Sequence, residues 1–175
     1  MPTYLELCRQ IGETPQLFPV LWGLYTFYVT QGDFQRAREL ADQLLRLAQC
    51  TQDSALLLEA HCALGDIAFL LGEFASAREH LEKGTVLYNP QQHHALTFLY
   101  GINPKVAYES HAALALWFLG YPNQALRKSQ ATLIQAEELS HLYSRVITLG
   151  WAAFLHQHCK EWRTTQEKAE ATFAL

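Results

Sequence analysis

One short phrase recurs along the chain and limits the folds available to it. It reads Gly-Asp-Phe-Gln-Arg-Ala at residues 32–37, Gly-Glu-Phe-Ala-Ser-Ala at 72–77 and Gly-Tyr-Pro-Asn-Gln-Ala at 120–125, and a weaker copy occupies 160–165. Successive copies begin 40, 48 and 40 residues apart. Each copy follows an apolar segment with helical spacing and precedes another such segment. Repeats of this length predict a solenoid of stacked helical hairpins, with the phrase at the hinge of each hairpin.

The positions of the phrase each have a structural interpretation. The glycine ends one helix in a left-handed conformation, and Asp33 caps the helix that follows. Small residues at Ala37, Ala77 and Ala125 let the two helices of a hairpin approach closely. An aromatic side chain is predicted to fill the gap between helices at three of the hinges, namely at Phe34, Phe74 and Trp162.

The fold class that follows is all-α: a right-handed α-α superhelix, or solenoid, of about four helical hairpins. Residues 3–11 also have helical spacing and would form the second helix of a preceding hairpin. Both ends of the chain are apolar, which suggests one region of a larger protein, because terminal repeats usually carry a polar outer face. We expect a single solenoid over 1–175 with hairpins at about 15–48, 54–88, 104–139 and 141–174, and an irregular insert of a polar turn and a short helical piece over 89–103.

Composition and charge narrow the possible partners. The formal net charge is −4, and acidic and basic residues are mixed along the chain. Without a basic stripe, nucleic-acid binding is not expected. The sequence has no apolar run long enough to span a membrane. Four scattered cysteines without a CxxC spacing predict reduced thiols and a cytoplasmic location.

The sequence carries no signature of catalysis or cofactor binding. Neither a GxxxxGK[ST] phosphate loop nor a GxGxxG turn occurs. His156, His158 and Cys159 cluster at one helix end and His93 and His94 lie in the insert, but neither spacing makes four metal ligands converge. A Cys159–His156 pair lacks a third, orienting group. We therefore expect a non-enzymatic segment without a metal or cofactor.

Several of these features resemble the tetratricopeptide repeat family. The Leu64-Gly65 pair and the buried position of Ala77 match that family's pattern in the second hairpin. The 40-residue spacing exceeds the family's repeat of about 34 residues, which implies longer helices. The resemblance implies a protein or peptide as partner.

Two longer stretches are similar to a narrower group. Residues 14–24 and 91–101 resemble the repeat region of large bacterial signalling proteins, in which a nucleotide cyclase module and an AAA-type ATPase module precede the repeats. This resemblance implies a scaffold or sensor segment of a larger bacterial signalling protein. The catalytic modules themselves are not part of this sequence.

In tetratricopeptide solenoids the first helix of each hairpin lines the concave surface, which implies a partner-binding face here. Glu59 and Asp66 lie two turns apart on one side of an apolar helix and favour apolar or basic partner segments. The aromatic residues predicted on this face, Trp22, Phe69, Trp117 and Phe154, are either recognition anchors or core residues. The residues predicted to bind a partner are Trp22, Thr26, Glu59, Asp66, Phe69, Ser110, Trp117 and Phe154.

Three alternatives to a scaffold for separate proteins stay open. The repeats could pack on an ATPase or cyclase module of their own chain and regulate it. The chain could self-associate through its apolar ends. It could also hold a small molecule under the insert, near Tyr88, Tyr100 and Tyr108.

Overall fold

The computed structural model describes residues 17–93 and 95–175. All regular structure in these two ranges is helical, which confirms the predicted all-α fold. The helix expected over 3–11 lies outside the described residues. None of the described helices combines the length and hydropathy needed to cross a bilayer. The helices are α1 (Leu17–Gln31), α2 (Phe34–Thr51), α3 (Ser54–Leu70), α4 (Phe74–Leu87), α5 (Pro90–His93), α6 (Leu96–Tyr100), α7 (Pro104–Phe118), α8 (Pro122–Glu138), α9 (Leu142–His158) and α10 (Trp162–Phe173).

The long helices pair into hairpins, and the hairpins stack. The first helices, α1, α3, α7 and α9, contact one another in that order, and each second helix packs on its own first helix. Second helices also pack on the first helix of the next hairpin: α2 on α3, α4 on α7 and α8 on α9. Because α4 contacts α7 directly, the short helices α5 and α6 of the insert leave the stacking continuous.

The hinges largely have the backbone that the repeated phrase predicts. Gly32 has a φ of 74°, in the left-handed region that other residues rarely adopt. Asp33 caps α2 by accepting a hydrogen bond from the backbone N–H of Arg36. Glu73 occupies the equivalent place but makes no cap. Its carboxylate instead accepts a 2.8 Å hydrogen bond from the guanidinium of Arg38, which ties the second hinge to α2.

Small residues let the helices approach one another closely. Ala37, Ala77 and Ala125 are fully buried, as their repeated position predicts. Gly65 of α3 faces Leu81 of α4, and a Cβ atom added to this glycine would lie 2.6 Å from the Leu81 Cγ. The α3–α4 hairpin therefore depends on the absence of a side chain at Gly65.

The aromatic residues of the hinges do not all behave alike. Phe34 and Phe74 pack against buried clusters, and Phe74 stacks on Phe118 of α7 with ring centroids 4.4 Å apart. Trp162 is exposed and contacts the Arg163 guanidinium instead. The prediction that Trp162 fills a gap between helices is wrong. Such a role needs a following first helix, and among the described residues none packs beyond α10.

Asn103 fastens the insert to the solenoid. Its side chain accepts a hydrogen bond from the N–H of Val106, capping α7, and donates to the hydroxyls of Tyr88 and Thr97. Its backbone N–H donates to the Ser144 hydroxyl of α9. One buried residue thus connects Tyr88, which follows α4, with the insert, α7 and α9.

The cysteines differ from the sequence expectation. Cys50, near the end of α2, is disulfide-bonded, so the prediction of four reduced thiols is wrong at this residue. Cys62 and Cys159 are free. Spacing along the chain could not reveal the bond, because disulfide formation depends on the distance between two residues in space.

Glu59 lies inside the protein and not on its surface. It is 2% exposed, and its Oε1 has no hydrogen-bond partner. Burial raises the pKa of the Glu59 carboxyl to about 8, so the group is mainly neutral at pH 7. The predicted role in partner binding is therefore corrected. Helix α3 is enclosed by α1, α2, α4 and α7, and Glu59 falls on an enclosed side.

Replacing Gly65 by alanine tests the close approach of α3 and α4. Gly65→Ala is expected to lower the free energy of unfolding by about 1–3 kcal/mol, because the added methyl group overlaps Leu81. Gly150→Ala is the matched control, since a Cβ there meets nothing within 4 Å. It is expected to raise stability by about 0.5–1 kcal/mol through helix propensity. Urea titrations measure both, and equal effects of the two changes would contradict the packing.

The raised pKa of Glu59 predicts a pH dependence of stability. Its folded-state value of about 8 exceeds the ordinary 4.5, so between these values the folded protein keeps a proton that the unfolded chain has released. The free energy of unfolding therefore falls as the pH rises from about 5 to 8, by up to about 1.4 kcal/mol per pH unit.

Glu59→Gln should remove this fall, because glutamine stays neutral at every pH. Urea titrations at several pH values compare the variant with the wild type. The exposed Glu137→Gln is the control, and it should keep the wild-type dependence. A parallel pH profile for Glu59→Gln and the wild type would show that the carboxyl is not buried as described.

Candidate partner-binding surface

The eight residues predicted on the first helices are spread from open surface to interior. Exposure is highest at the ends of the row, because α3 and α7 are enclosed by neighbours on more sides than α1 and α9. Thr26 and Phe154 are exposed, Trp22, Asp66 and Trp117 are half-buried, and Glu59, Phe69 and Ser110 are buried.

Asp66 contacts polar side chains of both neighbouring first helices. Its Oδ2 accepts a 2.8 Å hydrogen bond from the Tyr25 hydroxyl of α1, and its Oδ1 lies 3.3 Å from Nε2 of His111 on α7. The side chain of Asp66 keeps 22% of its surface exposed. Burial, followed by the nearby Asp66 charge, raises the pKa of Tyr25, so the hydroxyl stays a donor. The carboxylate is thus held in place while remaining accessible.

Tyr25 and His111 were not among the predicted site residues. Helical spacing places Tyr25 on the side of α1 that faces the core, where it is indeed buried. Only its hydroxyl reaches Asp66. In the sequence, the signal for this contact is a tyrosine and a histidine on the two helices that neighbour the helix of Asp66. It can be recognised only once the order in which the helices pack is known.

An aromatic cluster continues from Asp66 towards α9. Phe69 and Trp151 both contact the His111 ring, with centroid distances of 5.8 and 4.7 Å, and their own ring centroids are 6.4 Å apart. Trp151 contacts Phe154, the exposed edge of the cluster. Phe154 in turn meets His158 edge to face at 4.5 Å. These contacts support the exposed ring of Phe154 from below.

Phe69 and Ser110 are buried beneath the surface, and Trp117 is half-buried. Phe69 is enclosed in the aromatic cluster. The Ser110 hydroxyl donates to the carbonyl of Val106 within its own helix. Trp117 packs on Phe118 and His158 at the hinge end of α7. All three lie on first helices, where neighbouring helices bury Phe69 and Ser110 and leave Trp117 half-buried.

Trp22 and Thr26 occupy the α1 end of the row. Trp22 packs on Tyr25 and on Tyr100 of the insert, with ring centroids 5.6 and 5.0 Å apart. Thr26 is exposed, and its hydroxyl donates to the carbonyl of Trp22.

We call the accessible strip along the row of first helices the first-helix surface. Its residues are Thr26, Asp66, His111, Trp151 and Phe154.

The histidines and cysteines considered for catalysis or metal binding have other contacts. His156 pairs with the Glu161 carboxylate at 2.6 Å. Burial raises the pKa of the Cys159 thiol, which disfavours a nucleophilic thiolate. His93 is buried and accepts a hydrogen bond from the N–H of Asn89, whereas His94 lies outside the described residues. No three metal-ligating side chains converge in 17–93 and 95–175.

Side chains fill the interior under the insert. Tyr108 is fully buried and donates a hydrogen bond to the carbonyl of Leu58. Leu96 and Tyr100 of the insert pack on the same buried cluster, which includes Leu81. This packing disfavours a small-molecule site among Tyr88, Tyr100 and Tyr108.

Comparisons with known proteins agree with this architecture. Residues 58–83 match the tetratricopeptide repeat family. Two solved structures are similar to the chain, both of nearly identical TPR-like repeats from a Podosopora anserina protein described as a putative kinesin light chain. The structure that carries a glutamine-to-methionine substitution has a TM-score of 0.60, and the other has 0.57. Each is 21% identical and aligns over 97% of this chain and 84% of its own.

No curated protein matches the chain. The stacked hairpins, their glycine hinges and the likeness to solved repeats together show the fold. The chain is an α-α superhelix with the architecture of tetratricopeptide-like repeats.

Proposed function

We propose that this chain is a non-catalytic interaction segment that binds a protein or peptide on the first-helix surface. The observation that carries the proposal is the arrangement around Asp66. An accessible carboxylate is held by Tyr25 and His111, and an exposed aromatic edge, Phe154, lies on the same row of helices. A surface already ordered by its supports loses little conformational freedom on binding, which favours affinity.

The chemistry of the surface defines the partner. Asp66 is its acidic residue, while Trp151 and Phe154 supply apolar area. A partner segment that combines a lysine or arginine with an aromatic or aliphatic residue complements both features. Because Glu59 is buried and mainly neutral, it adds no charge here, and Asp66 alone supplies the negative charge of the first-helix surface.

The wider context of the segment is also a proposal. The resemblance of residues 14–24 and 91–101 to repeats of bacterial signalling proteins favours a cytoplasmic scaffold or sensor within such a protein. The partner segment then belongs either to another protein or to a cyclase or ATPase module of the same chain. The complete reading frame around this segment distinguishes the two, since the second requires such a module in the same gene.

Selection from a display library of short peptides tests the surface. Enriched peptides are expected to pair a basic residue with an aromatic or aliphatic one. Asp66→Asn keeps one acceptor oxygen for the Tyr25 hydroxyl but removes the charge, so it should weaken such peptides about tenfold, or about 1.4 kcal/mol. Phe154→Ala should weaken them similarly by removing apolar contact area. Fluorescence anisotropy measures the affinities.

The controls are matched in chemistry and lie on α10, away from the first-helix surface. Phe173→Ala removes an exposed aromatic ring, and Glu167→Gln removes an exposed charge. Both should bind the selected peptides as the wild type does. Equal losses in the controls, or unchanged binding by Asp66→Asn and Phe154→Ala, would place the partner elsewhere.

A further inference from the structure

Two histidines meet between the helices of the second hairpin. The Nδ1 atoms of His61 on α3 and His80 on α4 are 3.0 Å apart, and the ring centroids are 5.2 Å apart with the planes tilted by 39°. Both residues are half-buried, so solvent still reaches them. They are 19 residues apart in the sequence, a separation that does not suggest a shared site. The packing of α3 on α4 is what brings the two nitrogens to one accessible place.

The charged groups that act on this pair come from α2 and α4. Two of them are cations, and a glutamate holds each one: Lys83 is paired with Glu79, and Arg38 with Glu73. Asp42 of α2 adds a third carboxylate, which acts on the histidine of α4. Negative charges therefore outnumber positive ones around the pair, which favours a bound cation.

Both rings are mainly neutral at pH 7, which is the form of histidine that binds metal ions. Burial, followed by the charge of His80, lowers the pKa of His61 to about 4, and burial also lowers the pKa of His80. In a neutral pair one ring donates its Nδ1–H to the bare Nδ1 of the other. When solvent moves that proton to Nε2 of the same ring, two Nδ1 lone pairs lie side by side.

We propose that His61 and His80 bind one divalent transition-metal ion through their Nδ1 atoms. Imidazole suits such ions, and nitrogen ligands lie about 2.0–2.1 Å from zinc. Two nitrogens at that distance are about 2.9 Å apart when they subtend a right angle and about 3.3–3.4 Å apart at a tetrahedral angle. The 3.0 Å between the two Nδ1 atoms falls between these values. Water completes the coordination, and the ion connects α3 to α4.

Isothermal titration calorimetry of the full chain with zinc chloride tests the site. Zinc is expected to bind one to one, and His61→Gln and His80→Gln should each weaken it at least about tenfold. This size follows because losing even a supporting contact of a metal ligand costs about 10–100-fold in affinity. His156→Gln is the matched control, since it removes a half-buried histidine of α9, and it should bind zinc as the wild type does. Magnesium chloride should give no binding, because Mg²⁺ prefers oxygen ligands.

Two calorimetric results would overturn the proposal. Equal zinc affinity in the wild type and in both pair variants would place the ion elsewhere. No binding of zinc to the wild type would leave the two rings as a hydrogen-bonded pair only.

Nitrogen NMR of the histidine rings in the wild-type chain tests the same site without a substitution. Zinc should shift the Nδ1 signals of two rings together and leave both rings protonated on Nε2. A shift of one ring alone, or of Nε2 in place of Nδ1, would contradict a shared Nδ1 site.

Discussion

Close approach between neighbouring helices is the constraint on which this structure depends. Alanine at the same place in three hairpins and glycine at residue 65 remove the side chains that would hold the helices apart. Each second helix can then bury one face of the next first helix, so the core is continuous along the stack. Repeat proteins gain their stability from such contacts between neighbours, since no single hairpin can bury its own apolar surface.

The same closeness decides what the protein can offer a partner. Because α3 and α7 are enclosed, most of their side chains are internal, including the carboxyl of Glu59. Asp66 remains partly exposed, and its contacts with Tyr25 and His111 hold the carboxylate in place. The accessible part of the row is therefore a narrow strip with a defined shape. This rigid strip carries the carboxylate of Asp66 and the supported aromatic ring of Phe154. It suits an extended partner segment that is flexible before it binds.

The sequence was sufficient to predict the features that depend on neighbours along the chain. The hinge at Gly32–Asp33 and the buried alanines follow from local conformation and from the repeat. Features that depend on distances between hairpins were not predictable. Glu59 and Asp66 lie two turns apart on α3, yet the packing of neighbouring helices buries Glu59 and leaves Asp66 half-buried. Trp162 resembles Phe74 in sequence, but within the described residues Phe74 stacks on Phe118 whereas Trp162 is exposed.

Site-specific photocrosslinking in the native cell tests the central claim, that the partner binds on the first-helix surface. A benzoylphenylalanine at position 154 replaces an exposed ring of the first-helix surface, which the Trp151 and His111 rings connect to Asp66. A benzoylphenylalanine at position 86 is also exposed, but it lies on the second helix α4. A partner on the first-helix surface gives a discrete crosslinked product from position 154 and none from position 86. Crosslinks from position 86 with none from position 154 would contradict it.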